Sequence, residues 1–277
     1  MRRLWIPLLK NNSAVSYTIS AIIITVTTIS LVLAASIYAY QVLEQQRGAA
    51  EFDVTKESIL AFNDALENIA WKPGAVRSSR FTIEYGYLQL IPNSTQYGNS
   101  IIINATVDGK PPTTLYSNAT TGFLKYHLSN KYVNFGQGYS SHILGDNSTL
   151  IVGSTGSYGR AVISQTTGWV TITLDYRVRA MKTSVINVNG TLVNYVDIWI
   201  IRLVTMETVT HPWSYVHDFN LRARCQGVQT ISHEAQVQNN ATISVEMGGV
   251  TSSPANIPLV AGKVVFNVIL AEVQVSV

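Results

Sequence analysis

Between Lys10 and Glu44 the chain carries no charged residue, and residues 14–43 read AVSYTISAIIITVTTISLVLAASIYAYQVL. A window this long and this apolar predicts a membrane-spanning helix, because lipid leaves the backbone no hydrogen-bond partner except itself. Taking residues 17–40 as its centre gives a helix of about 36 Å at about 1.5 Å per residue, enough to cross the hydrocarbon with some tilt. The alternative is a cleaved secretory signal, but its apolar region runs only about 7 to 15 residues before a small-residue cleavage site. Here the run is far longer, and no convincing cleavage site of that kind follows Tyr40. A retained helix is therefore expected.

Arg2, Arg3 and Lys10 precede the span, whereas Glu44, Arg47, Glu51 and Asp53 follow it. The positive excess on the short side predicts a cytoplasmic N-terminus and an extracellular remainder. Charged residues are 13% of the chain, well below the roughly 25% of ordinary soluble domains. Polarity comes instead from Ser, Thr, Asn, Gln and Tyr. Cys225 is the single cysteine, so stability must come from a hydrophobic core rather than from disulfides within the chain. A net charge of +3 without a basic block argues against nucleic acid as a partner.

Past Gly48 the periodicity changes. Phe52, Ile59, Phe62, Leu66 and Ile69 recur at helical spacing, with Glu51, Lys56, Glu57, Asn63, Asp64 and Glu67 assigned to the opposite face. This is an amphipathic helix whose stripe must pack on something. Gly48 is a candidate hinge, Asp53 a candidate N-cap, and Pro73-Gly74 a firm stop. Beyond it the pattern is β. Phe81, Ile83, Tyr85 and Tyr87 alternate with polar residues. Residues 170–178 place Val170, Ile172, Leu174, Tyr176 and Val178 on one side, with Thr171, Thr173, Asp175 and Arg177 on a solvent side. Asn189-Gly190 is the preferred pair for a two-residue hairpin turn between strands 183–188 and 191–204. A last strand covers 263–277. The expected class is α+β: a long N-terminal hydrophobic helix continuing into an amphipathic helix, then an antiparallel β-sandwich-like head. The expected organisation is a basic cytoplasmic leader (1–14), a transmembrane helix (15–43), an amphipathic helix packed on the head (44–74) and an extracellular β-rich domain (75–277).

The basic leader, the AVSYTISAIII start, the long helix and the β-rich head together resemble archaeal type IV pilin-like surface proteins. The stretch YRVRAMKTSVINVNGTLVNYVDIWIIRL (residues 176–203) is similar to their head strands only by type. Those proteins carry a class III signal peptide cut on the cytoplasmic side, after which the helix stays in the membrane or enters a filament core. The resemblance implies a cut between Ala14 and Val15. It also implies the lipid bilayer, identical or related pilin-like subunits and a prepilin-type peptidase as partners. Asn11, Asn12 and Ser13 stand where the family usually places Lys or Arg beside the cut. Ile19 stands where bacterial pilins carry a glutamate that archaeal relatives commonly lack. Ser20, Ala21, Thr25, Thr27, Thr28, Ser30, Ala34, Ala35 and Ser36 are small or hydroxylated positions suited to close helix packing, or simply tolerated by a lone anchor. The competing expectation is a permanently anchored single-pass envelope protein or adhesin with a binding β-domain.

Six N-x-[ST] triplets follow the span, at Asn93, Asn104, Asn118, Asn147, Asn189 and Asn240. Composition alone would place several such triplets here, but all six are expected at turns or strand ends, where a glycan could stand. Templates for catalysis fail: residues 153–159 are glycine-rich without the following Gly-Lys-Ser/Thr of a P-loop, and read as a flexible hairpin loop. His233-Glu234 lacks a second histidine, since Val237 stands there, and no G-x-S-x-G is present. His211, His217, Asp218 and Cys225 form one loose metal-competent group whose spacing does not suit zinc. No enzyme, cofactor or metal is expected. Trp169, Trp199 and Trp213 are candidates for an adhesive or carbohydrate-binding face, against the plainer expectation that a sandwich buries them. On the strand, Trp199 shares a face with Tyr195, and Val196, Ile198 and Ile200 share the other.

Overall fold

The computed structural model describes residues 12–205 and 212–277. Arg2, Arg3, Lys10 and His211, and with them most of the expected leader, lie outside the described residues. Contacts divide the chain into two compact units, with the boundary between Arg47 and Gly48.

One helix, α1 (Asn12–Ile69), runs through Gly48 without interruption. Asp53 therefore lies within the helix rather than capping it. Glycine is needed here for proximity: a Cβ on Gly48 would lie 2.4 Å from the Tyr132 ring. Beyond Gly48 the predicted stripe is buried in full, Phe52, Ile59, Phe62, Leu66 and Ile69 all being nearly inaccessible. The helix stops as Pro73-Gly74 requires. Gly74 adopts φ +81, which glycine takes without penalty. Its N–H donates to the Cys225 carbonyl at 2.9 Å, and the Cys225 N–H donates to Ala75 at 3.0 Å.

Fifteen strands follow among the described residues: β1 (Val76–Ile91), β2 (Asn99–Val107), β3 (Thr113–Thr121), β4 (Phe123–Ser129), β5 (Ser140–Leu144), β6 (Leu150–Val152), β7 (Gly159–Thr166), β8 (Trp169–Tyr176), β9 (Val178–Val188), β10 (Thr191–Thr205), β11 (Trp213–Val237), β12 (Asn240–Met247), β13 (Val250–Thr251), β14 (Ala255–Pro258) and β15 (Gly262–Ser276). Ten form one sheet in the order β5-β7-β8-β4-β1-β11-β15-β10-β9-β6. A smaller sheet runs β13-β12-β2-β3, with β14 also on β12. The expected α+β class is observed. The pairing is not wholly antiparallel, however, since β10 runs parallel to β15 and β6 parallel to β9. β10 and β15 are separated in sequence by the whole excursion through β11–β14, long enough for the crossover that a parallel pair demands.

The large sheet packs a core on each face, over different parts of its span and against different partners. Leu88, Leu90, Leu124, Tyr126, Ile172, Leu174, Leu221 and Val273 join Ile59, Phe62 and Leu66 of α1 in one core. Val196, Ile198, Phe266 and Leu270 join Ile101, Ile103, Ile243 and Val245 of the small sheet in a second. Along β10 the change of core falls between Ile200 and Ile201, and along β15 between Leu270 and Ala271. Adjacent residues on a strand point to opposite faces, so these long central strands carry the helix-side core on one face and the sandwich core on the other. The expected sandwich is thus one half of the head, and a helix-on-sheet layer is the other.

The Asn189-Gly190 turn is as expected: both residues have positive φ, at 51° and 84°, and Val188 pairs directly with Thr191. Residues 170–178 differ from expectation. The apolar side is buried, but so are Thr171, Asp175 and Arg177, because they are paired: Asp175 takes two bonds from Arg160, and Arg177 donates to Asp146 and to the Ser157 carbonyl, each at 2.8 Å. The strand also breaks at Arg177, so Val178 begins β9 and belongs to the sandwich core.

Candidate functional site

The first half of α1 presents an apolar surface to its surroundings on every side. Every large hydrophobic residue from Tyr17 to Tyr40 is exposed, reaching 79% at Tyr17 and 71% at Leu31. This is the one described helix long and apolar enough to cross a membrane. Its hydroxyls do not spoil it. Thr25, Thr27, Thr28 and Ser30 each donate to the carbonyl four residues back, at 2.8–2.9 Å, which satisfies them inside the helix where hydrocarbon offers no partner. Tyr17 stands near one end of the segment and Tyr38 and Tyr40 near the other, the positions at which amphipathic rings meet a membrane interface. Ala14 and Val15, the expected cleavage pair, lie in the first turn of α1.

The second half is held by two carboxylates that sequence reasoning put on the solvent side. Glu51 accepts the backbone N–H groups of Glu84, Tyr85 and Gly86 at 2.7, 2.8 and 2.9 Å, and the Tyr126 hydroxyl at 2.7 Å. These three consecutive amides are free because β1 slips register against β11 between the pairs Ile83–His217 and Leu88–Tyr215. Burial along β1 changes phase there: Phe81 and Ile83 point inward, then Gly86, Leu88 and Leu90 do. Tyr85 and Tyr87, expected to share a face with Phe81 and Ile83, fall out of phase at this bulge: Tyr85 stays packed against the edge of the core, and Tyr87 does not. Gly86 is required by contact, since a Cβ would meet the His127 carbonyl at 2.5 Å. Burial, and then the bond to Glu51, raise the Tyr126 pKa far above the usual phenol value, so its hydroxyl remains a donor.

Glu67 does the same four turns on. It accepts the Ser157 hydroxyl in a short bond, the Gly159 N–H at 2.9 Å and the Asn63 amide at 3.2 Å. The glycine-rich segment read as a flexible loop is therefore pinned to the helix, its Gly159 amide and Ser157 hydroxyl holding a carboxylate of their own chain. Asn63, expected outside, is buried against Gly159. Glu51 and Glu67 adjoin Phe52 and Leu66 in sequence, so both flank the stripe. Gly86, interrupting a clean alternation, was the one available signal of a bulge.

The triplet asparagines divide. Asn147 and Asn189 are exposed in turns, Asn240 opens β12 half-buried, and Asn93 is a half-buried bend residue whose Oδ1 accepts the Thr205 N–H at 3.1 Å. Asn104 corrects the expectation, for it lies inside β2 with its Oδ1 bound to Thr114 at 2.9 Å. Asn118 likewise falls within β3 rather than at its end. The loose metal-competent group is drawn apart. His217 and Cys225 sit on one extended strand, about 26 Å apart at about 3.3 Å per residue. Asp218 is engaged by Arg80 and Thr82, and Cys225 is buried. Among the described residues no three His, Cys, Asp or Glu side chains converge. Tyr195 and Trp199 are half-buried. Trp169, at 40% exposure, stands edge-on to Tyr87 and His127, which stack on each other at 4.7 Å.

No protein-family model, no curated protein and no solved structure matches this chain.

Proposed function

We propose that this chain is a pilin-like cell-surface structural subunit of the archaeal type, anchored in the membrane or assembled into a filament through its N-terminal helix. The observation that supports this reading is the contrast within α1: a charge-free, wholly exposed apolar segment runs directly into a segment seated on a β-rich head. Bare apolar surface on this scale needs lipid or the same segment of other copies to cover it. The N-terminus then lies in the cytoplasm and the head outside, a prepilin-type peptidase cuts between Ala14 and Val15, and exposed Asn147 and Asn189 are the first candidates to carry glycans. The chain acts through assembly and display and performs no catalysis.

Mass spectrometry of the native N-terminus tests the reading. A mature chain starting at Val15 is the expected result, and an intact Met1 favours the permanently anchored envelope protein instead. That second reading draws on the exposed Trp169 beside Tyr87 and His127, a small aromatic platform suited to an adhesin. Orientation is tested by protease on intact cells, which should digest the head and spare the apolar segment held within the membrane.

A further inference from the structure

The sandwich covers only part of the large sheet. Among the described residues its core takes nothing from β1, β4, β7 or β8, whose buried apolar residues join α1 instead. The alternate residues of β1, β4 and β8 therefore point to the opposite face, away from α1. Pairing sets them in rows: Gln89 beside Lys125 and Thr173, then Tyr87 beside His127 and Thr171, then Ser129 beside Trp169. Tyr87 and His127 stack at 4.7 Å, and Trp169 stands steeply across both at 5.7 and 6.2 Å while keeping 40% of its surface exposed. An amide oxygen only accepts, so His127 Nε2 donates to Gln89 Oε1 at 3.1 Å, and Gln89 Nε2 donates in turn to Ser214 at 3.3 Å. The aromatic group is thus held by its neighbours. Charge on this face is sparse. Arg160 and Asp175 cancel each other in a two-bond pair. Lys125 is half-buried and has no carboxylate partner among the described residues, and the Thr173 hydroxyl beside it is likewise unpartnered there.

We propose that this face binds an acidic glycan, with one sugar ring lying against Trp169 and the carboxylate of a neighbouring sugar meeting Lys125. A pyranose ring carries C–H bonds on its faces and hydroxyls around its rim. The C–H face is weakly positive and suits the negative face of an indole, while Thr173 and Ser129 offer hydroxyls to the rim. Lys125 supplies the charge complementarity, since a half-buried ammonium without a carboxylate of its own favours a ligand that brings one. Trp169 pairs with Ser129, four residues along β4 from Lys125, a separation of about 13 Å at about 3.3 Å per residue. That distance exceeds a single sugar ring, so the ligand is a chain of sugars. A nucleic acid also stacks on aromatic rings, but it needs a row of cations to follow its phosphates, and this face offers one. The site lies on the head, so it extends the adhesin reading above and serves an anchored chain or a filament subunit equally.

The test is calorimetric titration of the full chain in zwitterionic detergent micelles with three probes: trigalacturonate, maltotriose and a short single-stranded oligonucleotide. Trigalacturonate should bind at least about tenfold more tightly than maltotriose, the difference being one charge-assisted contact. Trp169→Ala should weaken trigalacturonate binding about tenfold or more, as loss of an aromatic anchor does. Lys125→Gln should weaken it about threefold or more and remove most of its salt dependence, while leaving maltotriose unchanged. Ile231→Ala, an exposed position on β11, should bind as wild type does, and an unchanged Tm in each variant shows that the head is intact. Absence of trigalacturonate binding overturns the proposal, as does binding that neither Trp169→Ala nor Lys125→Gln weakens. Equal affinity for maltotriose overturns the acidic ligand, and tighter binding of the oligonucleotide overturns the glycan. N-terminal processing fails or succeeds separately: a Val15 start without glycan binding removes this site alone, and glycan binding with an intact Met1 keeps the site and removes pilin-type processing.

Discussion

The two halves of α1 share one backbone and one continuous helix assignment, yet their side chains face opposite problems. Residues 17–41 are apolar all round and exposed all round. Residues 48–69 are apolar on one stripe, and that stripe is among the most deeply buried surface in the protein. A helix uniform around its circumference tells nothing about which side packs, so its partner must itself be uniform, as lipid or a bundle of like helices is. A striped helix specifies a side, and the protein then adds polar contacts at the stripe's margins to fix height and rotation. Glu51 and Glu67 are those contacts, one on three amides of the β1 bulge and one on the 157–159 segment.

The sharpest way to break this comparison is to truncate one aromatic or aliphatic residue in each half. Phe62→Ala should destabilise the head by about 3–5 kcal/mol, as emptying a packed core site does. Ile29→Ala should shift head unfolding by less than about 0.5 kcal/mol. Chemical denaturation in detergent micelles, followed by tryptophan fluorescence, reads both. Equal losses would show that the apolar half helps hold the head together.

The polar margin is tested next. Glu51→Ala leaves three amides and the Tyr126 hydroxyl without their acceptor, and should cost roughly 2–4 kcal/mol. Amide exchange at Glu84, Tyr85 and Gly86 should rise with it, while exchange around Gly159 stays slow. If Glu51→Ala matched wild type, the bulge would be held by packing alone.

Gly190→Val probes a turn far from the helix. With Gly190 at φ +84, a β-branched side chain should cost about 1–2 kcal/mol, seen as a lowered Tm. An unchanged Tm would mean the hairpin tip rearranges freely.

The smallest expected effect is electrostatic. Burial first, and Lys125 second, lower the His127 pKa from 6.5 to about 4. The unfolded chain therefore binds this proton more readily than the folded one. The stability contribution of neutral His127 is complete above about pH 6.5 and is lost as pH falls toward 4. For a half-exposed ring this amounts to less than about 1 kcal/mol. His127→Gln should flatten that part of the Tm–pH curve, and an unaltered slope would assign it to the carboxylates.

Much of the fold was legible because periodicity is a local property. The five stripe residues of α1, the Pro73-Gly74 stop, the Asn189-Gly190 turn and the strands at either side of it all follow from spacing and backbone preference. Asn63, Asp175 and Arg177 were misread for one reason: each is polar, and polar residues were assigned to water. They are buried because their partners, Ser157 for Asn63, Arg160 for Asp175, and Asp146 with the Ser157 carbonyl for Arg177, come from distant points in the chain. Asn104, expected with the other triplets at a turn or strand end, lies inside β2, where strand pairing rather than local pattern places it.

What the sequence determined by itself is the division of labour along the chain: a lipid-compatible helix, a striped continuation and a β-rich remainder. Each is written in hydrophobic pattern over consecutive residues, so no partner is needed to read it. Tertiary structure alone decided that the large sheet serves two cores at once, that β10 and β15 run parallel, and that Glu51 meets the β1 bulge. Those features depend on which strands become neighbours. Strand pairing joins residues far apart in sequence, through backbone groups that every residue type carries alike.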